Sequence, residues 1–406
     1  MKYCSLLIFL VVLIACKSKP ADVSIKDDVV FLSDDKLEGR QTGTNGEKAA
    51  ANYIAQRFED LGVEAKGTEN YLQPFTFKPK TNPHQKVSYN VKAGDSTITG
   101  LNVIGFIDNQ VENTIVIGAH YDHLGYGAEG SLHRGARAIH NGADDNASGV
   151  AVLLDLAKKL KESNQNNNYL FITFSGEEMG LLGSNYFVKN PTIDTKKVNY
   201  MINMDMVGRL KADSTLAVYG VGTSPILKQT VTSNNSKFKL IQKESGIGPS
   251  DHTSFYNADI PVLHFFTGQH EDYHKPTDDF EKLNYEGMQT ISNYIFEIIT
   301  DLDDNGKLPF RKTKNESDDT PRFKVVLGVV PDYLYDGKGM RIDGISEGKP
   351  AQKAGLQKGD IVIKLGDKDV IDMMSYMIAL SAYEKGNKTK VVVDRNGTEI
   401  EADIEF

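Results

Sequence analysis

The alternation of strand-like and helical patterns between residues 22 and 300 constrains the fold of this chain more than any other feature. Short apolar runs typical of buried strands recur at residues 101–107, 114–118, 169–174, 198–204 and 260–266. Helical patterns lie beside them at residues 45–61, 147–160, 224–233 and 285–302. Strands that alternate with helices predict an α/β fold, with a mostly parallel central sheet and helices on both faces.

The rest of the chain divides by composition. Residues 301–321 are polar and charged and carry no apolar period, so we predict a linker there. Residues 322–406 contain short strand patterns and one or two short helices, which predict a small, separate β-rich domain. A length of 406 residues suits two or more domains of this kind.

Charge and cysteine content narrow the range of functions. The formal net charge is -9, so we expect no extended nucleic-acid-binding surface and no nucleic-acid partner. The two cysteines are Cys4 and Cys16, which leaves the predicted folded part without a disulfide or a thiolate metal site. Any metal there must be held by histidine and carboxylate side chains.

The N-terminus has the pattern of a processing signal. Lys2 precedes an apolar run at residues 6–15, and this run ends in Leu-Ile-Ala-Cys. The pattern resembles a bacterial lipoprotein signal, which implies a signal peptide at residues 1–15, lipidation of Cys16 and a tether at residues 16–21. An ordinary secretory signal and a short uncleaved anchor are the alternatives. We expect an exported protein that is anchored by lipid to a bacterial membrane, with the periplasmic face of the outer membrane as the default location.

Five polar segments follow or adjoin the predicted strands of residues 22–300. They are Gly118–His123, Asn141–Gly149, Ser175–Gly180, Asn203–Met206 and Tyr273–Pro276. The carboxyl ends of strands in such a sheet form a ligand crevice, so these segments are expected to converge there. Carboxylate and imidazole groups suit hard or borderline divalent cations, and two adjacent cations need a bridging carboxylate. The adjacent Glu177 and Glu178 could supply one ligand and one proton acceptor.

The order H-x-D, DDNASG, EE, NMD and late YH resembles the co-catalytic di-zinc aminopeptidase family over residues 30–300. Its relatives include glutamate carboxypeptidases and glutaminyl cyclases. The resemblance implies two Zn2+ ions per chain, with Mn2+ or Co2+ as possible substitutes. It implies one zinc held by His120 and Asp205, the other by Glu178 and His274, and a bridge through Asp145.

The same resemblance implies roles for two further carboxylates. Glu177 would be the general base that takes a proton from the zinc-activated water and later protonates the leaving amine. Asp122 would orient His120 through the second ring nitrogen of that histidine. One departure is that residues 246–249 stand where some family members carry an oxyanion-stabilising tyrosine, so the oxyanion donor is not identified.

Structural roles are weighed for several residues near the predicted ligands, of which His123, His133 and His140 have no role in the family pattern. His123, His133 and His140 are interpreted as polar loop residues, although His123 could line the cleft. The remaining candidates for structural roles are His252, expected to pack or hydrogen-bond beneath the site, His264, expected to be a satisfied core histidine, and Asp144, expected to hydrogen-bond its own loop. Asp278 is left open between a solvated acid and an orienting partner of His274.

Residues 270–274 spell H-E-x-x-H, the motif of a different class of zinc protease. That motif requires a helix that places both histidines on one face. Here a strand and a glycine precede it, and Pro276 follows two residues later, which argues against a helix. A zincin site based on His270 and Glu271 is therefore the disfavoured alternative.

Residues 344–362 resemble a bacterial PDZ domain in the pattern G-x-PA-x-x-AGL-x-x-GD-x-I, here read from residue 348 with one substituted position, and Asn396-Gly397 predicts a late hairpin turn. The resemblance implies binding of a peptide C-terminus by strand addition, with Leu327, Gly328 and Val329 as the candidate carboxylate-binding loop. A packing module without a ligand is the alternative.

Taken together, the patterns indicate a lipid-anchored, zinc-dependent exopeptidase with peptide substrates, most consistent with an aminopeptidase. A metallo-carboxypeptidase and a glutaminyl cyclase share the same chemistry. A catalytically silent, peptide-binding lipoprotein is the alternative from another class.

Overall fold

The computed structural model describes residues 23–79, 87–127, 130–163, 166–314, 324–335, 337–346 and 348–406. The predicted signal peptide, Cys16 and the tether lie outside the described residues. The helices are α1 Ile25–Leu32, α2 Asn45–Asp60, α3 Gly149–Ser163, α4 Leu182–Lys189, α5 Leu227–Ser233, α6 His252–Tyr256, α7 Tyr285–Leu302, α8 Pro350–Lys353 and α9 Met373–Leu380. No helix in these ranges is long and apolar enough to cross a membrane.

The strands form two sheets. They are β1 Glu64–Ala65, β2 Leu72–Phe77, β3 Ile98–Ile107, β4 Thr114–His120, β5 Asn168–Phe174, β6 Val198–Met204, β7 Thr215–Tyr219, β8 Lys239–Lys243, β9 Val262–Phe266, β10 Val329–Pro331, β11 Met340–Ile345, β12 Ile361–Leu365, β13 Lys368–Asp369, β14 Lys388–Arg395 and β15 Thr398–Glu405.

The large sheet has the order β1-β3-β5-β4-β6-β9-β7-β8, with β2 paired to β3. Its four central strands, β5, β4, β6 and β9, are parallel neighbours, which confirms the predicted α/β fold. On both flanks the pairing becomes antiparallel, between β3 and β5 and between β7 and β9. The sequence patterns did not predict β2, which contains Pro74, or the half-exposed β8, because neither has the continuous apolar run of a central strand.

Side chains of the central strands alternate between two apolar cores. In β4, Ile115 and Ile117 pack into a core with helices α1, α3 and α7, whereas Val116 packs into a core with Phe187 of α4 and Phe255 of α6. Helices therefore cover both faces of the sheet, and its carboxyl edge is left for the polar segments.

The first part of the predicted linker packs against the α/β domain. Helix α7 ends at Leu302, and the main-chain N–H of the buried Leu308 donates to Oδ1 of Asn199 at 2.7 Å. Thr313 donates its main-chain N–H to the hydroxyl of Tyr256 at 2.8 Å. Leu308, Phe310, whose ring centroid lies 5.4 Å from that of Tyr256, and a few long-range hydrogen bonds make this packing, and they leave no periodic signal. Residues 315–321 lie outside the described ranges.

The C-terminal strands form a separate antiparallel sheet with the order β10-β11-β12-β14-β15, and β13 pairs with β12. Its own apolar core includes Leu327, Ile342 and Val393. This small domain contacts the loop after β9: Lys358 forms an ion pair with Glu271, and Lys211 of the large domain lies 3.0 Å from Oδ2 of Asp343.

Candidate active site

The predicted ligands gather at the carboxyl edge of the four parallel strands. His120 is the last residue of β4, and Asp205 directly follows β6. Glu178 lies in the turn after β5, and His274 lies in the longer loop after β9. Asp145 comes from the irregular turn that leads into α3. The chain therefore brings together residues that are more than 150 positions apart.

The two carboxylate oxygens of Asp145 face two different groups of side chains. Oδ1 lies 3.3 Å from Nε2 of His120, and the same nitrogen lies 3.3 Å from Oδ1 of Asp205. Oδ2 lies 3.2 Å from Nε2 of His274, which in turn lies 3.2 Å from Oε2 of Glu178. Asp145 thus has the arrangement that a bridge between two cations requires.

The distances between these nitrogen and oxygen atoms fit zinc, a metal that histidine and carboxylate side chains commonly bind. Zinc binds nitrogen and oxygen at about 2.0–2.1 Å, so two ligands on one tetrahedral ion lie about 3.3 Å apart. The four donor–donor distances around Asp145 are 3.2 or 3.3 Å. Imidazole nitrogen and carboxylate oxygen are both ordinary zinc donors. The residues present therefore fit a pair of zinc ions.

The electrostatics around His120 also fit a cation. Burial acts to lower the pKa of His120, but the carboxylates of Asp205 and Glu177 outweigh it and raise the pKa well above its usual range. Burial acts to raise the pKa of Asp145, yet its bonds with His120 and His274 hold that pKa well below the ordinary value. The carboxylates thus stabilise positive charge at this point, whether it is carried by a proton or by a metal ion.

The second group behaves in the same way. Burial and the Asp145 carboxylate act to raise the pKa of Glu178, but His274 and His123 lower it to about 2. Burial acts to lower the pKa of His274, while Glu178 and Asp145 raise it to about 11. His120 and His274 are therefore each held among carboxylates, and their burial leaves little water to screen these charges.

Glu177 lies beside these ligands without belonging to either set of close ligand atoms. Its main-chain N–H donates to Oδ1 of Asp122 at 3.1 Å. Burial and the carboxylates of Glu178 and Asp205 raise the pKa of Glu177 well above its usual range, despite the opposing effect of His120. A carboxylate with a high proton affinity has the property of a general base.

Asp122 is buried next to His120 and faces its second ring nitrogen, Nδ1, with two of its oxygens. Its Oδ1 is 3.7 Å from Nδ1 of His120, beyond hydrogen-bonding distance, whereas its main-chain oxygen is 3.3 Å from that nitrogen. Its carboxylate instead accepts from the main chain of Glu177 and, at 3.1 Å, from the hydroxyl of Thr42. Asp122 therefore holds the main chain of Glu177 and also lies next to His120.

The loop that carries Asp145 is fixed from two sides. Gly142 has φ 55°, and a Cβ there would lie only 2.5 Å from the ring of His123, so glycine is required. Oδ2 of Asp278 accepts from the main-chain N–H groups of Asp144 at 3.0 Å and Asp145 at 3.1 Å. The possibility that Asp278 orients His274 is wrong, because Nδ1 of His274 instead lies 2.9 Å from the main-chain oxygen of Gly130.

Of the two interpretations of His123, the structure supports the one that places it at the cleft. The residue is 1% exposed, and its Nδ1 lies 2.8 Å from Oε1 of Glu178. The signal available in the sequence was its place three residues after His120, in the same strand-end segment. His264 is a buried core histidine, as expected: its ring stacks on His252 at 4.4 Å, and its Nδ1 lies 3.1 Å from Nδ2 of Asn203.

The H-E-x-x-H segment adopts turns and no helix. His270 points to Oδ2 of Asp144 at 3.1 Å, and the exposed Glu271 pairs with Lys358. His274 of this segment does reach the site, because its Nε2 lies 3.2 Å from Oδ2 of Asp145 and from Oε2 of Glu178. The ring of Tyr273 stacks on that of His274 with centroids 3.8 Å apart.

The candidate peptide-binding loop of the small domain begins in its core. Leu327 is 1% exposed, and its main-chain oxygen accepts from the N–H of Ala351 at 2.8 Å. Gly328 has φ 84°, which turns the chain into the edge strand β10 at Val329. Among the described strands, β10 pairs only with β11, so its outer edge can accept an added strand.

Comparisons with known proteins agree with this architecture. Residues 102–299 match Peptidase family M28, and residues 312–406 match the PDZ domain family. Residues 102–299 are therefore similar to peptidase family M28 and residues 312–406 to PDZ domains, in agreement with the resemblance of the motifs.

Individual relatives are more distant. The chain is 30% identical over 171 residues to a probable leucine aminopeptidase of Trichophyton verrucosum, a match that covers 39% of this chain and 44% of that protein. The chain thus spans about half the length, or less, of the first curated relatives that it matches.

Solved structures share the fold. A Zn-dependent exopeptidase from Parabacteroides distasonis has a TM-score of 0.56 at 19% identity, with 68% of this chain and 96% of that chain covered. A glutaminyl cyclase from Porphyromonas gingivalis has a TM-score of 0.54 at 18% identity, with 68% and 97% covered. At these identities the likeness concerns the fold alone.

Proposed function

We propose that this protein is a zinc-dependent aminopeptidase that removes N-terminal residues from peptides. The observation that carries the proposal is the position of Asp145: each of its two carboxylate oxygens faces a separate imidazole–carboxylate group, and Glu177 lies beside these groups. The name of the Trichophyton relative supports an aminopeptidase over the other exopeptidases with this fold.

The mechanism assigns separate roles to the residues of the site. His120, Asp205, Glu178, His274 and the bridging Asp145 would hold two zinc ions, which would supply carbonyl polarisation and a more acidic attacking water. Glu177 accepts the proton of that water and delivers it to the leaving amine. Asp122 keeps Glu177 in place through its main chain.

Tyr273 is the proposed hydrogen-bond donor to the developing oxyanion. Its ring stacks on His274, and burial together with the Asp145 and Glu178 carboxylates raises its pKa well above the usual range. The phenol therefore stays protonated at neutral pH and can donate. Tyr273→Phe is expected to lower kcat by roughly 10²–10³-fold with zinc content unchanged. An unchanged kcat would remove Tyr273 from this role.

The test of the function uses one peptide in two forms, with a free and with an acetylated N-terminus. Soluble protein starting at residue 17 is incubated with zinc and each peptide, and products are followed by mass spectrometry. We expect stepwise loss of N-terminal residues from the free form only, and none after chelation of the metal. Glu177→Gln is the matched control, because it should bind zinc and fail to release residues.

Other outcomes point to other functions. Trimming of both forms from the C-terminus would indicate a carboxypeptidase. Ammonia release from a peptide with N-terminal glutamine, without hydrolysis, would indicate a glutaminyl cyclase. Binding of peptides without any turnover would indicate a silent binding protein.

For the PDZ domain we propose recognition of a peptide C-terminus along β10, with the main chain of Leu327, Gly328 and Val329 next to the carboxylate. Among the described strands β10 pairs only with β11, and this unpaired edge supports the proposal. Titration with a peptide and with its C-terminal amide tests it, and equal affinity for both forms would contradict it.

We also propose export and lipid anchoring at Cys16, on the evidence of the apolar run that ends in Leu-Ile-Ala-Cys. Full-length protein expressed in a bacterium should fractionate with membranes, and Cys16→Ser should not carry lipid. A periplasmic, soluble wild type would contradict this proposal.

A further inference from the structure

His123 is a buried imidazole that contacts a proposed zinc ligand, Glu178, and that the proposed mechanism does not use. Its ring reaches the group formed by His274 and Glu178, and the rings of His123 and His274 stand edge to face with centroids 5.9 Å apart. Its Nδ1 lies 2.8 Å from Oε1 of Glu178 and 4.0 Å from Oδ2 of Asp145.

The two oxygens of Glu178 have different partners. Oε2 lies 3.2 Å from Nε2 of His274, a separation that suits two ligands on one tetrahedral ion. Oε1 lies 2.8 Å from His123, which is the length of a charge-assisted N–H···O bond and is shorter than such a ligand–ligand distance. Because a carboxylate oxygen only accepts, Nδ1 of His123 carries the proton in this bond.

The ring of His123 is held in this orientation by its surroundings. Its main-chain N–H donates to the carbonyl of Arg40 at 3.3 Å. Gly142 approaches the ring so closely that any side chain there would collide with it. The Arg40 side chain is fully buried and donates to the main-chain oxygen of Gly142 at 3.0 Å, which holds the glycine against the ring.

We propose that His123 is a positioning residue for Glu178: it donates from Nδ1 to Oε1 and leaves Oε2 directed at the metal that His274 binds. This inference rests on the proposed function, because it concerns a ligand of the second zinc. Removal of such a supporting bond is expected to weaken the affinity for that zinc by roughly 10–100-fold, without a change at the zinc held by His120.

Direct coordination by His123 is the competing arrangement. Ligand atoms of His123, Asp145 and Glu178 all lie within 4.8 Å of one another, so an ion among them is geometrically conceivable. The 2.8 Å contact with Glu178 and the 4.0 Å separation from Asp145 favour the hydrogen bond instead.

Two substitutions separate these arrangements from an effect of packing. His123→Leu keeps most of the side-chain volume and removes the donor. His123→Asn loses volume but keeps an N–H group at the same number of bonds from the backbone as Nδ1. A packing role predicts the greater loss for asparagine, whereas the proposed hydrogen bond predicts the greater loss for leucine.

The measurement is a zinc titration of each folded variant against a competing chelator, with His274→Ala to identify which zinc belongs to the second group. His140→Leu is the matched control: His140 is also 1% exposed, but its ring bonds Ser131 and the carbonyl of Ala138. Circular dichroism and Tm confirm folding. We expect a 10–100-fold weaker second zinc in His123→Leu, and less than about threefold change in His123→Asn and His140→Leu.

An equal loss in both His123 variants would overturn the proposal, and so would the absence of a loss in His123→Leu. If His123→Leu does not fold, the asparagine variant still decides, because a loss beyond tenfold there contradicts a role that its N–H can fill. Wild-type protein that binds no zinc would instead refute the proposed function.

Discussion

The two halves of the proposed metal centre are built on different kinds of support. The strand-borne half consists of His120 at the end of β4, Asp205 after β6 and Oδ1 of Asp145. The loop-borne half consists of Glu178, His274 and Oδ2 of Asp145. The first set is placed by neighbouring strands in the middle of the sheet, whereas His274 comes from a loop eight residues beyond β9.

The loop-borne half depends on contacts from other parts of the chain. His274 has φ 54°, a left-handed conformation that costs a non-glycine residue about 1–2 kcal/mol and must be held by its surroundings. Its ring is held by the carbonyl of Gly130, and Glu271 of the same loop pairs with Lys358 of the PDZ domain. We therefore expect the loop-borne half to bind its zinc more weakly and to respond more to distant changes.

The change with the largest expected effect removes what the two halves share. Asp145→Asn takes the charge from the bridge, so both zinc affinities should fall. Loss of metal polarisation, worth several kcal/mol, should lower kcat/KM by roughly 10³-fold or more. Metal analysis after dialysis and a peptide assay check this prediction. Retention of one tightly bound zinc would show that the halves are independent.

Substitutions confined to one half test the difference between the strand-borne and the loop-borne zinc. Glu178→Gln should weaken the loop-borne zinc, and Asp205→Asn the strand-borne zinc, each by more than the roughly 10–100-fold that loss of an outer partner costs. In wild-type protein a chelator should remove the loop-borne zinc first. Stepwise titration of the two variants identifies which zinc is lost, and the opposite order of release would reverse the comparison.

Much of this site could be predicted because four of its ligands follow strands. Apolar runs mark β4, β5 and β6, and the polar residue after each run must lie at the carboxyl edge. His123 escaped prediction because its role depends on the conformation of Glu178, a residue 55 positions away. The role of Asp278 was open for the same reason, since main-chain N–H groups of a distant turn are its partners.

The flanks of the fold were less predictable than its centre. Strands β2 and β8 lie at or near the sheet margins, where one face or edge is solvated and the apolar signal is weak. The packing of residues 307–314 depends on isolated contacts such as Leu308, which composition does not reveal. Long-range contacts with no local period are therefore what the sequence patterns missed.

A smaller effect is expected beneath the strand-borne half, at Glu47. Burial raises the pKa of this carboxyl from 4.5 to about 7, while its bonds with Ser175 and Gly43 act in the opposite direction. The folded state thus holds a proton that the unfolded state releases, and this stabilisation is complete below pH 4.5 and is lost as the pH rises through about 7. The loss is on the order of 2–3 kcal/mol.

Glu47→Gln cannot release that proton. The unfolding free energy of this variant should therefore rise relative to that of the wild type between pH 5 and pH 8. The loss of a carboxylate acceptor lowers the stability of the variant by an amount that does not depend on pH, so it does not affect this comparison. Urea unfolding at both pH values checks this, with the exposed Glu59→Gln as control. A difference from the wild type that does not change with pH would contradict the assignment.

The smallest expected effect concerns the contact between the two domains. Lys211 lies 3.0 Å from Asp343 and 3.5 Å from Asp332, both in the PDZ domain. Lys211→Met should loosen this contact by about 1 kcal/mol or less and weaken only the loop-borne zinc, by up to about fivefold. Lys228→Met, which removes an ion pair within the large domain, is the control. Zinc titration of both variants measures this effect. An equal loss of affinity in both halves would contradict the prediction that the loop-borne half depends more on the contact between the domains.

The most direct test of the two-zinc centre is anomalous diffraction at the zinc edge from crystals of the zinc-loaded protein. We expect two peaks about 3.5–4 Å apart, one beside His120 and Asp205 and the other beside His274 and Glu178, with one oxygen of Asp145 on each. A single peak, or two peaks without Asp145 between them, would contradict the two-zinc centre on which the proposed aminopeptidase rests.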